Sequence, residues 1–175
     1  MDERRKLSHS AYGGINGEEY IPFIPTSQAM PELSIYSIIM GAVFAMIFAA
    51  ANTYLGLKVG LTIAAGIPGA ILATGLLKGL FKRNNILEAN MVASIAAVGE
   101  SIAGGIIYIL PAIILWGLEL KISTIVVVTL LGGLVGIFFV TPLRKFLIVE
   151  EHGHLVYPES MAAAEVLVNG SEGGS

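Results

Sequence analysis

Charged residues fall into a few short clusters along this chain, and the uncharged runs between them are long. Leu33 to Leu57 is 25 residues without a charge and Val59 to Leu77 is 19 more, with Lys58 alone between them. As a helix the first run would measure roughly 37 Å, against a bilayer core of about 30 Å. A third run, Ile86 to Leu118, is interrupted by Glu88 and Glu100, and a fourth, Ile122 to Leu143, carries no charge. The pattern predicts an all-α, polytopic transmembrane helical bundle with four spans, at about 33–57, 59–77, 89–118 and 122–143. A polar cytosolic tail over 1–32 precedes it, and a cytosol-side loop, short helix and linker follow over 144–175.

Local signals mark the ends and weak points of these helices. Pro31-Glu32 suits the opening of the first helix, and Asn85 with Glu88 three residues later has the spacing of a capping box. Pro68, within Gly66-Ile67-Pro68-Gly69, removes a backbone donor and should kink or break the second run. A kink packed against neighbours and a discontinuous helix lining a substrate path are both compatible with it. Gly104-Gly105 and Pro111 are bending points for the third, and Gly41, Ala45 and Ala49, like Gly132 and Gly136, form stripes on which another helix can lie. Ser160 is placed to cap a short helix after Tyr157-Pro158-Glu159, and Asn169 to Ser175 reads as a flexible linker.

Composition supports a membrane chain: 55% of residues are hydrophobic and 13% charged, about half the usual charged share. The 21 glycines suit close helix contact in lipid. With no cysteine, disulfides and thiolate metal sites are excluded, and a net charge of −3 gives no reason to expect a nucleic-acid partner. With a cytosolic N-terminus, Arg4, Arg5, Lys6, Lys78, Lys82, Arg83, Arg144 and Lys145 fall inside, against Lys58 and Lys121 outside. That asymmetry sets the orientation. The leader has no apolar stretch near its start and so does not read as a cleavable signal peptide.

Glu100, between two apolar stretches, is the first candidate for chemistry. A carboxylate at membrane depth is costly unless protonated, paired or wet, and such residues serve ion or substrate paths; were the third span to begin at residue 101, Glu100 would instead be interfacial. Asn52, Thr53 and Tyr54, with Lys58, form a polar seam able to hydrogen-bond a ligand or to satisfy one another across helices. Asn90 lies ten residues before Glu100 and need not share a face with it. His152 and His154 could hold a divalent cation beside Glu150 and Glu151 but read more simply as a solvated loop, so no metal or cofactor is assigned. No H-E-x-x-H, G-x-S-x-G or Walker lysine loop is present, and the chain does not read as an enzyme.

The run Asn52-Thr53-Tyr54-Leu55-Gly56-Leu57-Lys58-Val59-Gly60-Leu61-Thr62-Ile63, then Asn85-Ile86-Leu87-Glu88-Ala89-Asn90, Gly99-Glu100-Ser101, Pro142-Leu143-Arg144-Lys145 and Tyr157-Pro158-Glu159, taken in order, resembles the oligopeptide transporter (OPT) family, closer to its prokaryotic and yellow-stripe-like branch. The resemblance implies a secondary transporter, generally proton-coupled, in a prokaryotic inner (plasma) membrane. It would move small oligopeptides or metal-chelate complexes by alternating access, this chain being the N-terminal part of a longer protein that supplies the remaining spans. Glu100 would then help carry the coupling proton, with Asn52, Thr53, Tyr54, Lys58, Asn90 and Pro68 along the substrate or proton pathway. A channel or helix-packing membrane module, and less readily a membrane enzyme, remain as alternatives.

Overall fold

The computed structural model describes residues 6–119 and 121–173. Arg4 and Arg5 of the basic flank, and Gly174 and Ser175 of the expected linker, lie outside the described residues. The described residues fold as helices α1 (Ile35–Val59), α2 (Gly66–Gly79), α3 (Ile86–Leu115), α4 (Ile122–Arg144) and α5 (Pro158–Glu172). Short 3-10 turns occupy His9–Tyr12 and Gly17–Glu19, and a π-helical stretch, Lys145–Glu150, continues α4. Three helical runs are long and apolar enough to cross a bilayer: Ile35–Val59, Ile86–Leu115 and Ile122–Glu150. The chain divides into two compact units, one of Met1–Ser8, Phe23–Ile107 and Tyr157–Ser175, the other of His9–Pro22 and Tyr108–Val156.

In the first unit α1 begins three residues later than Pro31-Glu32 suggests, because Ser34 supplies a better cap. Its hydroxyl accepts the Ser37 N–H at 3.1 Å while the Ser37 hydroxyl accepts the Ser34 N–H at 2.9 Å, a reciprocal capping box. The helix runs through the polar seam and stops at Gly60, whose φ of +77° suits a residue without a side chain. The second apolar run is not one helix. Leu61 to Ala65 is irregular, and α2 begins only at Gly66, with Pro68 in its first turn where the missing N–H costs nothing. The break expected at Pro68 therefore falls just before it. Fourteen helical residues give roughly 21 Å, too short alone for a bilayer core of about 30 Å.

Asn85 caps α3 by accepting the Leu87 N–H at 3.0 Å, but Glu88 does not complete the box. Its carboxylate turns instead to Arg83, which donates from Nη2 at 2.6 Å and from Nε at 2.9 Å. α3 continues without interruption through Gly104-Gly105 and Pro111. α5 starts at Pro158 rather than after Ser160, and it absorbs Asn169 to Glu172, which composition had marked as linker. Lys78 explains that extension: its Nζ donates to the carbonyls of Gly170 (2.8 Å) and Ser171 (3.2 Å) in the last turn, where a cation is favoured.

Small residues let these helices meet closely. A side chain on Gly99 would strike the Ala45 carbonyl, one on Gly56 would overlap Ile107, and a Cβ on Gly41 would lie 2.8 Å from that of Ile95. α1 and α3 thus run side by side in the same direction, with the Gly41, Ala45 stripe in the contact. α2 descends against α3 and lies parallel to α5, Gly66 facing Glu159 at one end and Thr74 facing Gly170 at the other. The shared core is mostly alanine, Ala70, Ala73, Ala89, Ala93 and Ala96, filled out by Phe44, Leu77, Val92 and Leu167.

In the second unit the leader folds against the end of the α4 run. His152 Nε2 lies 2.8 Å from the Ser10 carbonyl, the Tyr20 and His152 rings are 5.5 Å apart, and Lys145 pairs with Glu18 at 3.7 Å. His152 is thus engaged with the leader, and among the described residues no group of three or more potential metal ligands exists. Gly132 and Gly136 touch nothing, and α4 buries none of its membrane-length window among the described residues.

Candidate functional site

The irregular segment Leu61 to Ala65 is where the chemistry of the first unit gathers. Side chains from two helices grip its backbone. Asn52, on α1 and 2% exposed, accepts the Ile63 N–H on Oδ1 at 2.6 Å. Glu100, midway along α3, accepts the Ala65 N–H on Oε2 at 2.6 Å. Each replaces a partner that the backbone would have had inside a helix, so the segment can stay unwound without stranding these two donors. Glu100 lies at the fifteenth of α3's thirty residues, which puts it at the middle of a span and not at its edge.

The carboxylate also suits its position electrostatically. Ala65 immediately precedes α2, whose N-terminal end carries partial positive charge, and no side chain of the helix caps it. A third polar group reaches the same place: Glu159, in the first turn of α5, sets Oε1 3.0 Å from where a Gly66 Cβ would stand. Glycine at 66 leaves it room. Above the segment, in the last turns of α1, Lys58 Nζ donates to the Tyr54 hydroxyl at 2.9 Å and lies 5.2 Å from that ring's centre. Both residues are exposed.

The structure therefore brings together Asn52 and Glu100, which are 48 residues apart, through a stretch of backbone rather than through a direct contact. Tyr54 and Lys58 precede that backbone in the last turns of α1, Thr53 is half-buried next to Asn52 in the chain, and Pro68 follows it in the first turn of α2. Asn90 is exposed in the first turns of α3, roughly 15 Å of helix away from Glu100. It takes no part in the site. Sequence reasoning missed Glu159 as a site residue, although Tyr157-Pro158-Glu159 was visible as a motif; nothing in its spacing announces a neighbour near residue 66. It also missed the Arg83 and Glu88 pair at the opposite end of the unit. Glu88 is fully buried, and its carboxylate holds the Arg83 guanidinium above its ordinary pKa, so that Arg83 stays charged.

Broken backbone held by polar side chains near the middle of a membrane span is the construction that membrane carriers use where a solute is bound. The family described as OPT oligopeptide transporter protein matches this chain over residues 32–175. The chain belongs to the OPT family. A Haemophilus influenzae protein named "Putative oligopeptide transporter" is 38% identical to it over 120 residues, 67% of this chain and 18% of that protein. The chain thus spans less than a fifth of the length of this OPT relative. No solved structure matches it. With three helices of membrane-crossing length and this family, the OPT chain is a multi-pass integral membrane protein.

Proposed function

We propose that the complete protein is a secondary, proton-coupled transporter that moves small oligopeptides or metal-chelate complexes inward across a prokaryotic inner membrane by alternating access. The grip of Asn52 and Glu100 on the unwound backbone before α2 is the observation that carries this reading. A carboxylate that accepts a backbone N–H at mid-membrane couples its own protonation to the position of that backbone. In the outward-facing state the deprotonated Glu100 holds Ala65. A proton on Glu100 weakens that hold and lets α1 and α2 rock about the site, with the Asn52 to Lys58 seam shaping the outer gate. α2 and the irregular residues before it make the second crossing together. The contact between the leader and the corner after α4 supports keeping both on the cytosolic side.

The test is uptake into proteoliposomes by the complete protein carrying Glu100→Gln. Gln keeps an acceptor for the Ala65 N–H but cannot carry the proton, so accumulation driven by a pH gradient should fall at least about tenfold, the loss of roughly 1.4 kcal/mol of coupling. Exchange without a gradient should persist. Unchanged rate and pH dependence would remove the proton role, and failure of substrate to drive counterflow in the wild type would favour a channel.

A further inference from the structure

We propose that α5 is a half-span, beginning at mid-membrane and ending at the cytosolic face, and that its polar side lines the inner half of the solute path. The half-span rests on packing within the first unit, and the lining rests in addition on the transport reading above. Contacts carry the depth from α3 to α5. Glu100 stands at the midpoint of a helix of thirty residues, and its carboxylate accepts the Ala65 N–H at 2.6 Å. Gly66 opens α2 at that level, and the Glu159 carboxylate, in the first turn of α5, lies against it. The far ends of the two helices also meet. Lys78 donates to the Gly170 and Ser171 carbonyls, and Asn84 Nδ2 donates to the Ser171 carbonyl at 3.1 Å. Lys78 belongs to the basic group that flanks the cytosolic face in the proposed orientation. The fifteen residues of α5 rise roughly 22 Å. Half of a bilayer core of about 30 Å is less than that.

The two sides of this helix differ in chemistry. Ala163, Val166 and Leu167 pack with the alanine core, and Gly170 meets Thr74 of α2. At about 100° per residue, Glu165, Asn169 and Glu172 fall on the opposite side. Glu165 lies roughly 9 Å along the helix from Glu159, a distance that keeps it within the inner leaflet. A carboxylate at that depth turns toward protein or water and away from lipid. Two acids and an amide follow one another down this side toward the cytosol, a row suited to water and a polar solute. α5 therefore has one face made for packing on α2 and another made for a wet path, and Glu159 at its top joins Glu100 as a carboxylate at membrane depth.

The experiment uses the complete protein in lipid, with any cysteine of its remaining chain replaced and pairs of nitroxide labels placed on introduced cysteines. The references are positions 58 and 82, at the outer and inner ends of the first unit. Pulsed electron resonance should find position 160 as far from 58 as from 82 to within about 10 Å, and position 172 nearer to 82 by about 20 Å, as the rise of α5 requires. Position 160 nearer to 82 by as much as position 172 is would lay α5 along the cytosolic surface and overturn the half-span, whatever the protein carries. The lining is read separately, from single cysteines in inside-out vesicles treated with a membrane-impermeant thiol reagent. Glu165→Cys should react at least about tenfold faster than Ala163→Cys, which needs a local opening to be reached. Equal or reversed rates overturn the lining and leave the half-span standing. Neither readout depends on turnover, so both remain decisive if the counterflow test removes the transport reading.

Discussion

A buried amide and a mid-membrane carboxylate do unusual work in this chain, since each stabilises main chain rather than another side chain. For both Asn52 and Glu100 the ordinary alternative is a hydrogen bond to another side chain across helices, and among the described residues neither makes one. The Arg83 and Glu88 pair behaves differently. Its carboxylate is fully buried and doubly bonded to one guanidinium, so removal of the cation leaves a charge with no compensation. Arg83→Leu should therefore lower the thermal midpoint of the purified protein in detergent by several degrees, the range expected of a large single-site loss. The double change Arg83→Leu with Glu88→Leu should recover most of it. A double variant no more stable than Arg83→Leu alone would show that the pair is not a unit. The pairing was not legible beforehand, although Glu88 stood out as a capping residue and Arg83 as a basic flank, because a five-residue separation across a helix start has no periodic signature.

At the scale of elements, helices were readable from long, nearly uncharged apolar runs, and unreadable where tertiary contacts overrode local preference. α1, α3 and α4 follow from their runs to within a few residues. The unwinding of residues 61–65 does not, since Leu61-Thr62-Ile63-Ala64-Ala65 is compatible with helix and is held open by residues 11 and 35 positions away. α5 likewise gains its last turn from Lys78, 92 residues earlier. The α1 and α3 contact, by contrast, was foreshadowed by its stripe of small residues. It also makes a graded prediction. The nearest atoms to a Cβ on Gly41 are all in the Ile95 side chain, so part of the cost of Gly41→Ala should be relieved by Ile95→Ala, which removes two of the three. Gly99→Ala meets the Ala45 backbone and should cost about 1–3 kcal/mol, with no side-chain change able to offset it. Thermal midpoints of Gly41→Ala with and without Ile95→Ala, and of Gly99→Ala, decide this, and rescue of Gly99→Ala by trimming neighbouring side chains would refute the backbone contact.

Across the whole molecule, charge distribution organises what packing does not. The proposed orientation, drawn from the basic clusters, has the leader and the corner after α4 on one side of the membrane, and within the second unit these two segments do touch, through His152 and the Ser10 carbonyl. The sequence has no cysteine, so single cysteines placed at Ser10, Lys58 and His154 report sidedness directly in intact cells. A membrane-impermeant maleimide should label position 58 from outside and reach 10 and 154 only after permeabilisation; outside labelling of position 10 would invert the orientation. One attachment in the first unit extends the reach of the site further. Because Lys78 clasps the far end of α5 while Gly66 seats Glu159 at its near end, the two helices are joined at both extremities like the rails of a ladder. On the proposed transport reading, any tilt that begins at the broken backbone carries α5 with it, so a substitution in α5 well beyond Glu159 would register as altered turnover.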